Sequence, residues 1–132
     1  MIHEQNRPIS PHLSIYKPQI TTALSILHRI SGFALFIGFV VILWWIVYMT
    51  YSTNPQQSLL WRAASTDIGM GVIILWSYAL FFHLCTGIRH LFLDVGLGFE
   101  LKTVNWSGWF AVIASLILAI ASWCIALSVG GI

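Results

Sequence analysis

Charged side chains are almost missing from this chain. Six Lys or Arg and four Asp or Glu make ten among 132 residues. A soluble domain of this length would carry about 33. The shortage excludes a disordered chain, which combines low hydrophobicity with high charge. A net charge of +2 supplies no basic stripe to neutralise phosphates, so nucleic acid is not an expected partner. Cysteine is scarce as well: only Cys85 and Cys124 occur. Both fall in apolar stretches without metal-ligand spacing, and they read as small apolar side chains. A Gly-rich dinucleotide fingerprint is absent, and so are repeats and low-complexity segments. The length suits a single domain over residues 1–132.

What fills the space left by charge is apolar: 58% of residues, against roughly 45–50% in an ordinary domain. Three stretches, 30–61, 68–88 and 103–132, contain no Asp, Glu, Lys or Arg. About 20 apolar residues in helical form span about 30 Å, the thickness of the bilayer core. Three such helices in so short a chain would leave almost no polar surface to a soluble protein. The expected fold is therefore all-α, an integral membrane protein with three transmembrane helices.

The chain starts with a polar segment, residues 1–21, containing Pro8, Pro11 and Pro18. Proline blocks helix and favours extended or turn backbone. The first apolar stretch is too long for a signal core and no small-residue cleavage pattern follows it, so no cleaved leader is expected. Thr21 or Thr22 is the expected N-cap of a first helix over about 22–50. Asn54 and Pro55 mark a turn, a second helix is expected over about 65–93, and Gly96 and Gly98 precede a third over about 105–129. Arg7, Lys17, Arg29, Arg89 and Lys102 fall on one side of the membrane and Arg62 on the other. Cations collect on the inner side, so the N-terminus is expected inside and the C-terminus outside. Ser107, Ala111, Ser115 and Ala119 recur every four residues, a stripe that either lets a helix approach closely or reflects the abundance of Ala and Ser in membrane helices. Trp61, Trp106 and Trp109 suit an interfacial belt.

Five histidines are present. His3 and His12 lie in the polar segment. His83 lies six residues, about 9 Å of rise, on the membrane side of Arg89. At that depth an ionisable side chain needs a partner or cofactor: ligation, proton relay, or a hydrogen bond to a neighbouring helix. His90 is seven residues on and shares its face to within roughly 20°, with Gly87 between them. His, Gly and His on one stripe suits a haem edge, whose iron takes a neutral imidazole nitrogen and whose propionates need cations or His at the water boundary. His28 and Arg29 lie at a similar depth on the first helix. Ser25, His28 and Ser31 line one face of it, which is equally the pattern of an amphipathic helix start.

These residues carry a resemblance. SILHRISG at 25–32, a long span, and then HLCTGIRHLFLD at 83–94 look like the cytochrome b membrane-anchor subunit of succinate dehydrogenase, respiratory complex II. RPISPHLSIYKPQITT at 7–22 resembles the alphaproteobacterial and mitochondrial form. The resemblance covers nearly the whole chain and implies a bundle shared with a second anchor subunit. His83 would be one axial ligand of a b-type haem, the other coming from a His of that second subunit. Ser25 and Arg29 would line the ubiquinone site beside an iron–sulfur subunit. His28 and His90, together with Arg29, would lie by the haem propionates, and Arg89 is expected there too. Asp94 would be structural, and Leu84, Cys85 and Thr86 would be apolar filler. A flavoprotein subunit would carry succinate oxidation, which this chain lacks the residues for. The membrane would be a bacterial or mitochondrial inner membrane.

Two other readings stand beside this one. A related fumarate reductase or two-haem anchor would need about four deep histidines, and only His83 is deep. A cofactor-free structural or transporter subunit would normally carry a polar or broken-helix site near mid-bilayer, where only Ser77 and Tyr78 occur.

Overall fold

A computed structural model of the chain describes residues 19–130. His3, His12, Arg7 and Lys17, and nearly all of the polar 1–21 segment, lie outside the described residues. Helix α1 spans Ile20–Tyr51, a short α2 spans Leu59–Ala64, α3 spans Asp67–Asp94 and α4 spans Leu101–Gly130. A single 3-10 turn, Pro55–Gln57, leads into α2. The described residues contain no strand. α1, α3 and α4 are each long and apolar enough to cross a membrane.

The exposed surface shows what solvent these helices are built for. Phe33, Phe36 and Phe110 are 68%, 64% and 73% exposed, whereas the buried set includes Ser31, Thr86, Arg89 and Ser115 beside Leu24, Phe82, Ala111 and Ala119. Large apolar side chains face outward and small or polar ones face inward. In water that arrangement would be costly; in lipid it lets helices approach closely and keeps polar groups together.

Cross-helix contacts fix the topology. His28 meets Thr86 near the start of α1, and Trp76 donates from Nε1 to the Ala34 carbonyl at 3.3 Å further along. Rising numbers on α1 thus pair with falling numbers on α3, so the two are antiparallel. Arg89 bonds Ser107, and Trp123 donates from Nε1 to Ser77 Oγ at 2.8 Å, so α3 and α4 are antiparallel too. The four-residue stripe on α4 is the packed face: Ala111, Ser115 and Ala119 are buried. Gly108 extends it, and a Cβ there would lie 3.0 Å from Leu24 Cδ1 of α1.

Helix ends differ from expectation in informative ways. α1 begins at Ile20 with Gln19 as its N-cap and no side-chain capping bond, so Thr21 and Thr22 lie within its first turn instead of capping it. The Gln19 carbonyl accepts from the amides of Thr22 and Ala23, and the helix starts as soon as the sequence has passed Pro18. α2 was not foreseen. Its N-cap is Ser58, whose Oγ accepts from the Trp61 amide at 3.2 Å and from Trp45 Nε1 at 3.3 Å. α3 starts at Asp67, after the Thr66 hydroxyl has capped the Gly69 amide. It ends in a Schellman turn: the Leu97 amide reaches the Phe92 carbonyl and the Gly96 amide reaches the Leu93 carbonyl. Gly96 has φ +87° there, a conformation other residues rarely adopt. α4 starts at Leu101, four residues before the expected Asn105, because nothing after Gly98 interrupts helical backbone and the Glu100 carbonyl already accepts from the Val104 amide.

Gly38 admits the Trp76 indole, and a Cβ at Gly38 would overlap that ring. Gly38→Val should therefore push α1 from α3 and destabilise the assembled protein by about 1–3 kcal/mol. A thermal melt in detergent, compared with wild type, measures this; an unchanged midpoint would mean that the indole has room elsewhere.

Candidate functional site

Three of the five histidines converge where α1 and α3 meet. The His28 and His83 rings stack with centroids 3.9 Å apart and planes 8° from parallel. His90 lies on the other side of His28, 5.0 Å away and tilted by 59°. His83, Gly87 and His90 share one face of α3 by helical phase, and the His28 ring rests over it. A Cβ on Gly87 would lie 3.4 Å from His28 Cε1. One turn further along α1, a Cβ on Gly32 would lie 2.8 Å from His83 Cε1. The two glycines thus leave the space that the two imidazoles fill, one on each helix.

Hydrogen bonds decide which ring nitrogens carry protons. The Ser31 hydroxyl donates to the His28 carbonyl at 2.8 Å. Its oxygen also lies 3.2 Å from His83 Nδ1, and that same Nδ1 is 3.1 Å from the His28 carbonyl. A carbonyl only accepts, and the single Ser31 proton already points at it. His83 Nδ1 must therefore carry a hydrogen and donate to both oxygens. Neutral His83 is then the Nδ1–H tautomer, with its Nε2 lone pair available. The same logic applies to His28. The Thr86 hydroxyl donates to the Phe82 carbonyl at 2.6 Å, so its oxygen accepts from His28 Nδ1 at 2.8 Å.

This arrangement fits a haem ligand. Metal-bound histidines characteristically donate the other ring N–H to a carbonyl, carboxylate or water, which fixes the tautomer and the aim of the ring. Among the described residues no three His, Cys, Asp or Glu side chains could hold a bare metal ion. A porphyrin supplies four ligands of its own, so one imidazole would be a sufficient contribution from this chain.

The remaining predicted positions divide. Ser25 is half-buried and Arg29 is exposed; they lie four residues apart on the flank of α1 next to the histidines. Arg89 does not join the cluster. It is 6% exposed and donates from Nε to Ser107 Oγ and from an Nη to the Val104 carbonyl, both at 3.1 Å. Six residues from His83 turn the helix by about 240° beyond a full turn, which faces Arg89 toward α4. Arg89 is thus a clamp between α3 and α4, a role the sequence reading did not give it. Thr86 corrects an expectation: far from apolar filler, it is 1% exposed and bonded to His28. Sequence reasoning placed Ser31 on the correct face of α1 without seeing its bond to His83. The available signal was a hydroxyl three residues from each histidine, at 28 and 31 and at 83 and 86.

With this geometry in view, the comparisons with known proteins are specific. A family model described as succinate dehydrogenase/fumarate reductase transmembrane subunit matches residues 3–122. The chain is 48% identical over 117 residues to a succinate dehydrogenase cytochrome b556 subunit from Rickettsia bellii (strain RML369-C), covering 89% of this chain and 90% of that one. It is 37% identical over 121 residues to the cytochrome b556 subunit of Paracoccus denitrificans, covering 90% and 91%. A cytochrome b560 subunit from Reclinomonas americana is 34% identical over 124 residues, covering 91% and 86%.

Thr86→Val keeps shape and volume but leaves the His28 N–H without its acceptor. A stability loss of about 1–3 kcal/mol is expected, read as a lower melting midpoint, while Thr86→Ser should retain most of the wild-type midpoint. Equal midpoints for the Val and wild-type proteins would show that His28 finds another acceptor.

Proposed function

The chain belongs to the succinate dehydrogenase/fumarate reductase transmembrane subunit family, and from that premise we propose that it is the cytochrome b anchor of a succinate:ubiquinone oxidoreductase. The observation that carries the reading is the His83 ring, whose Nδ1–H is held by the His28 carbonyl and Ser31 Oγ at 3.1 and 3.2 Å. That leaves Nε2 as the nitrogen that would hold the iron of a b-type haem, together with a histidine of the second anchor subunit; the bound haem would supply relay or storage of single electrons.

His28 stacks on His83 and His90 lies beside His28, and with Arg29 they would hold the propionates. Ser25 and Arg29 serve the quinone. The Ser25 hydroxyl donates to a carbonyl oxygen of the ubiquinone ring, and the Arg29 guanidinium stabilises the negative charge that builds there as electrons arrive. Those electrons come from succinate through the flavoprotein and iron–sulfur subunits, which this chain helps to hold at the membrane. Five of the six cations lie toward the N-terminal and α3–α4 loop side, so that side faces the cytoplasm or matrix and the C-terminus faces out, across a bacterial or mitochondrial inner membrane.

Two substitutions test the two halves of this reading. His83→Leu should abolish the low-spin haem spectrum of the purified complex; an unchanged spectrum removes His83 as ligand. Ser25→Ala deletes a hydrogen bond worth about 1.5–3 kcal/mol once charge builds on its acceptor, roughly 10–100-fold in rate. Quinone reduction should slow by that factor while succinate oxidation by an artificial acceptor is unchanged. A parallel fall in both activities would take the quinone role away from Ser25.

A further inference from the structure

We propose that Ser31 is a positioning residue for the haem ligand: by bridging the two helices it fixes the tautomer and direction of His83. The inference rests on the axial-ligand reading and adds to it a named residue and a distinct consequence. Ser31 is 8% exposed. Its hydroxyl proton is committed to the His28 carbonyl one turn back on α1, at 2.8 Å. Its remaining lone pairs face α3, where His83 Nδ1 lies at 3.2 Å. The carbonyl is the second acceptor of that same Nδ1–H, at 3.1 Å. The N–H is thus bifurcated between two oxygens of one helical turn, and each removes a different freedom. The carbonyl alone would permit the ring to rock about a single bond. The Ser31 oxygen closes a three-membered set in which rotation of His83 about its Cβ–Cγ bond breaks one contact or the other.

Gly32 is part of the same device. With a side chain there, the ring could not lie flat over α1, because a Cβ would lie 2.8 Å from Cε1. Ser31 and Gly32 therefore act together, one by holding the ring and the other by leaving it room.

The electronic consequence has a sign. Acceptors on the distal N–H of a ligating imidazole raise its basicity and so favour the more positive, ferric state. Removing one of two acceptors weakens that preference, so the haem midpoint potential should rise. The ligand should also hold less firmly. Loss of a partner behind a metal ligand typically costs 10–100-fold in affinity; with one acceptor left, the low end applies.

The test uses the whole complex carrying Ser31→Ala, Ser31→Thr or His83→Leu. Two quantities are read: the rate of haem transfer to excess apomyoglobin and the midpoint potential by redox titration of the optical spectrum. Ser31→Ala should lose haem about tenfold faster with a raised potential. Ser31→Thr, which keeps the hydroxyl, should return both toward wild type. Wild-type values of both quantities in Ser31→Ala overturn the proposal, and so does faster loss with an unchanged potential, which would mark Ser31 as a packing residue. If the threonine complex assembles without restoring the potential, the hydroxyl is not the cause and the proposal also falls. Should its extra methyl prevent assembly, the alanine complex decides alone. A low-spin spectrum that survives His83→Leu instead removes the axial-ligand reading itself, so the two failures are told apart.

Discussion

Lipid offers no hydrogen bonds, and the interior of this bundle is organised by that constraint. Five of its hydroxyls, buried or half-buried, answer it in one way. Ser31, Ser77, Thr86, Ser107 and Ser115 each donate their proton to a carbonyl three or four residues back on their own helix. A hydroxyl satisfied like this has no proton left for a neighbour, only lone pairs. The neighbouring helix must then supply an N–H. Across α1–α3 the donors are His28 and His83, and across α3–α4 they are Arg89 and Trp123. Every one of these bridges therefore has a fixed polarity. For Trp and Arg that is unremarkable, since they only donate. For histidine it settles a chemical question, because the ring is made to present its hydrogen at Nδ1 and its lone pair at Nε2. Among the described residues no buried side-chain nitrogen or oxygen lacks a partner; Ser58 is satisfied differently, its oxygen accepting from the Trp61 amide and Trp45 Nε1, and Ser115 is satisfied within its own helix.

Such bridges need helices close enough for short side chains to meet. Small residues make this possible: Gly32 and Gly38 on α1 beneath His83 and Trp76, Gly87 on α3 beneath His28, and the stripe from Gly108 to Ala119 on α4. Each glycine facing a ring converts a potential clash into a slot. Large apolar residues are turned outward, where they cost nothing in lipid.

Some of this was legible in the sequence and some was not, and the difference has a physical basis. Spans are legible because the absence of charge over about 20 residues is a one-dimensional property. The histidine face of α3 was legible because a seven-residue separation nearly repeats the helical phase. The clamp formed by Arg89 was not legible because depth was weighed and azimuth was not: a residue adjacent to His90 along the axis points about 100° away around it. Thr86 was passed over because its value depends on His28, which is 58 residues away in sequence. Whether a hydroxyl donates or accepts is decided by the crossing of two helices, and no local pattern carries that. α2 was missed for another reason. Six residues are too few for a periodic signal, and only the Ser58 cap betrays them.

The length of α1 links the two halves of the site. Its 32 residues span about 48 Å, roughly 18 Å more than the hydrocarbon core. The Tyr51 end is followed at once by the polar Ser52, Thr53 and Asn54, so the excess belongs at the start, over the first turns from Ile20. Ser25, His28 and Arg29 fall in those turns, and Ser31 lies where the helix enters the core. Over this stretch, the helical twist sends His28 and Ser31 toward α3 and turns Arg29 about 100° away, where it is exposed. Exposed charge is tolerable there because the guanidinium can reach headgroups or a polar partner surface. A single stretch of helix that is too long for the bilayer thus offers a dry face to an imidazole and a wet flank to a cation. On the function proposed above, a haem ligand that stays in the membrane and a quinone that takes up protons from water would make those two demands, and α1 would meet both within two turns.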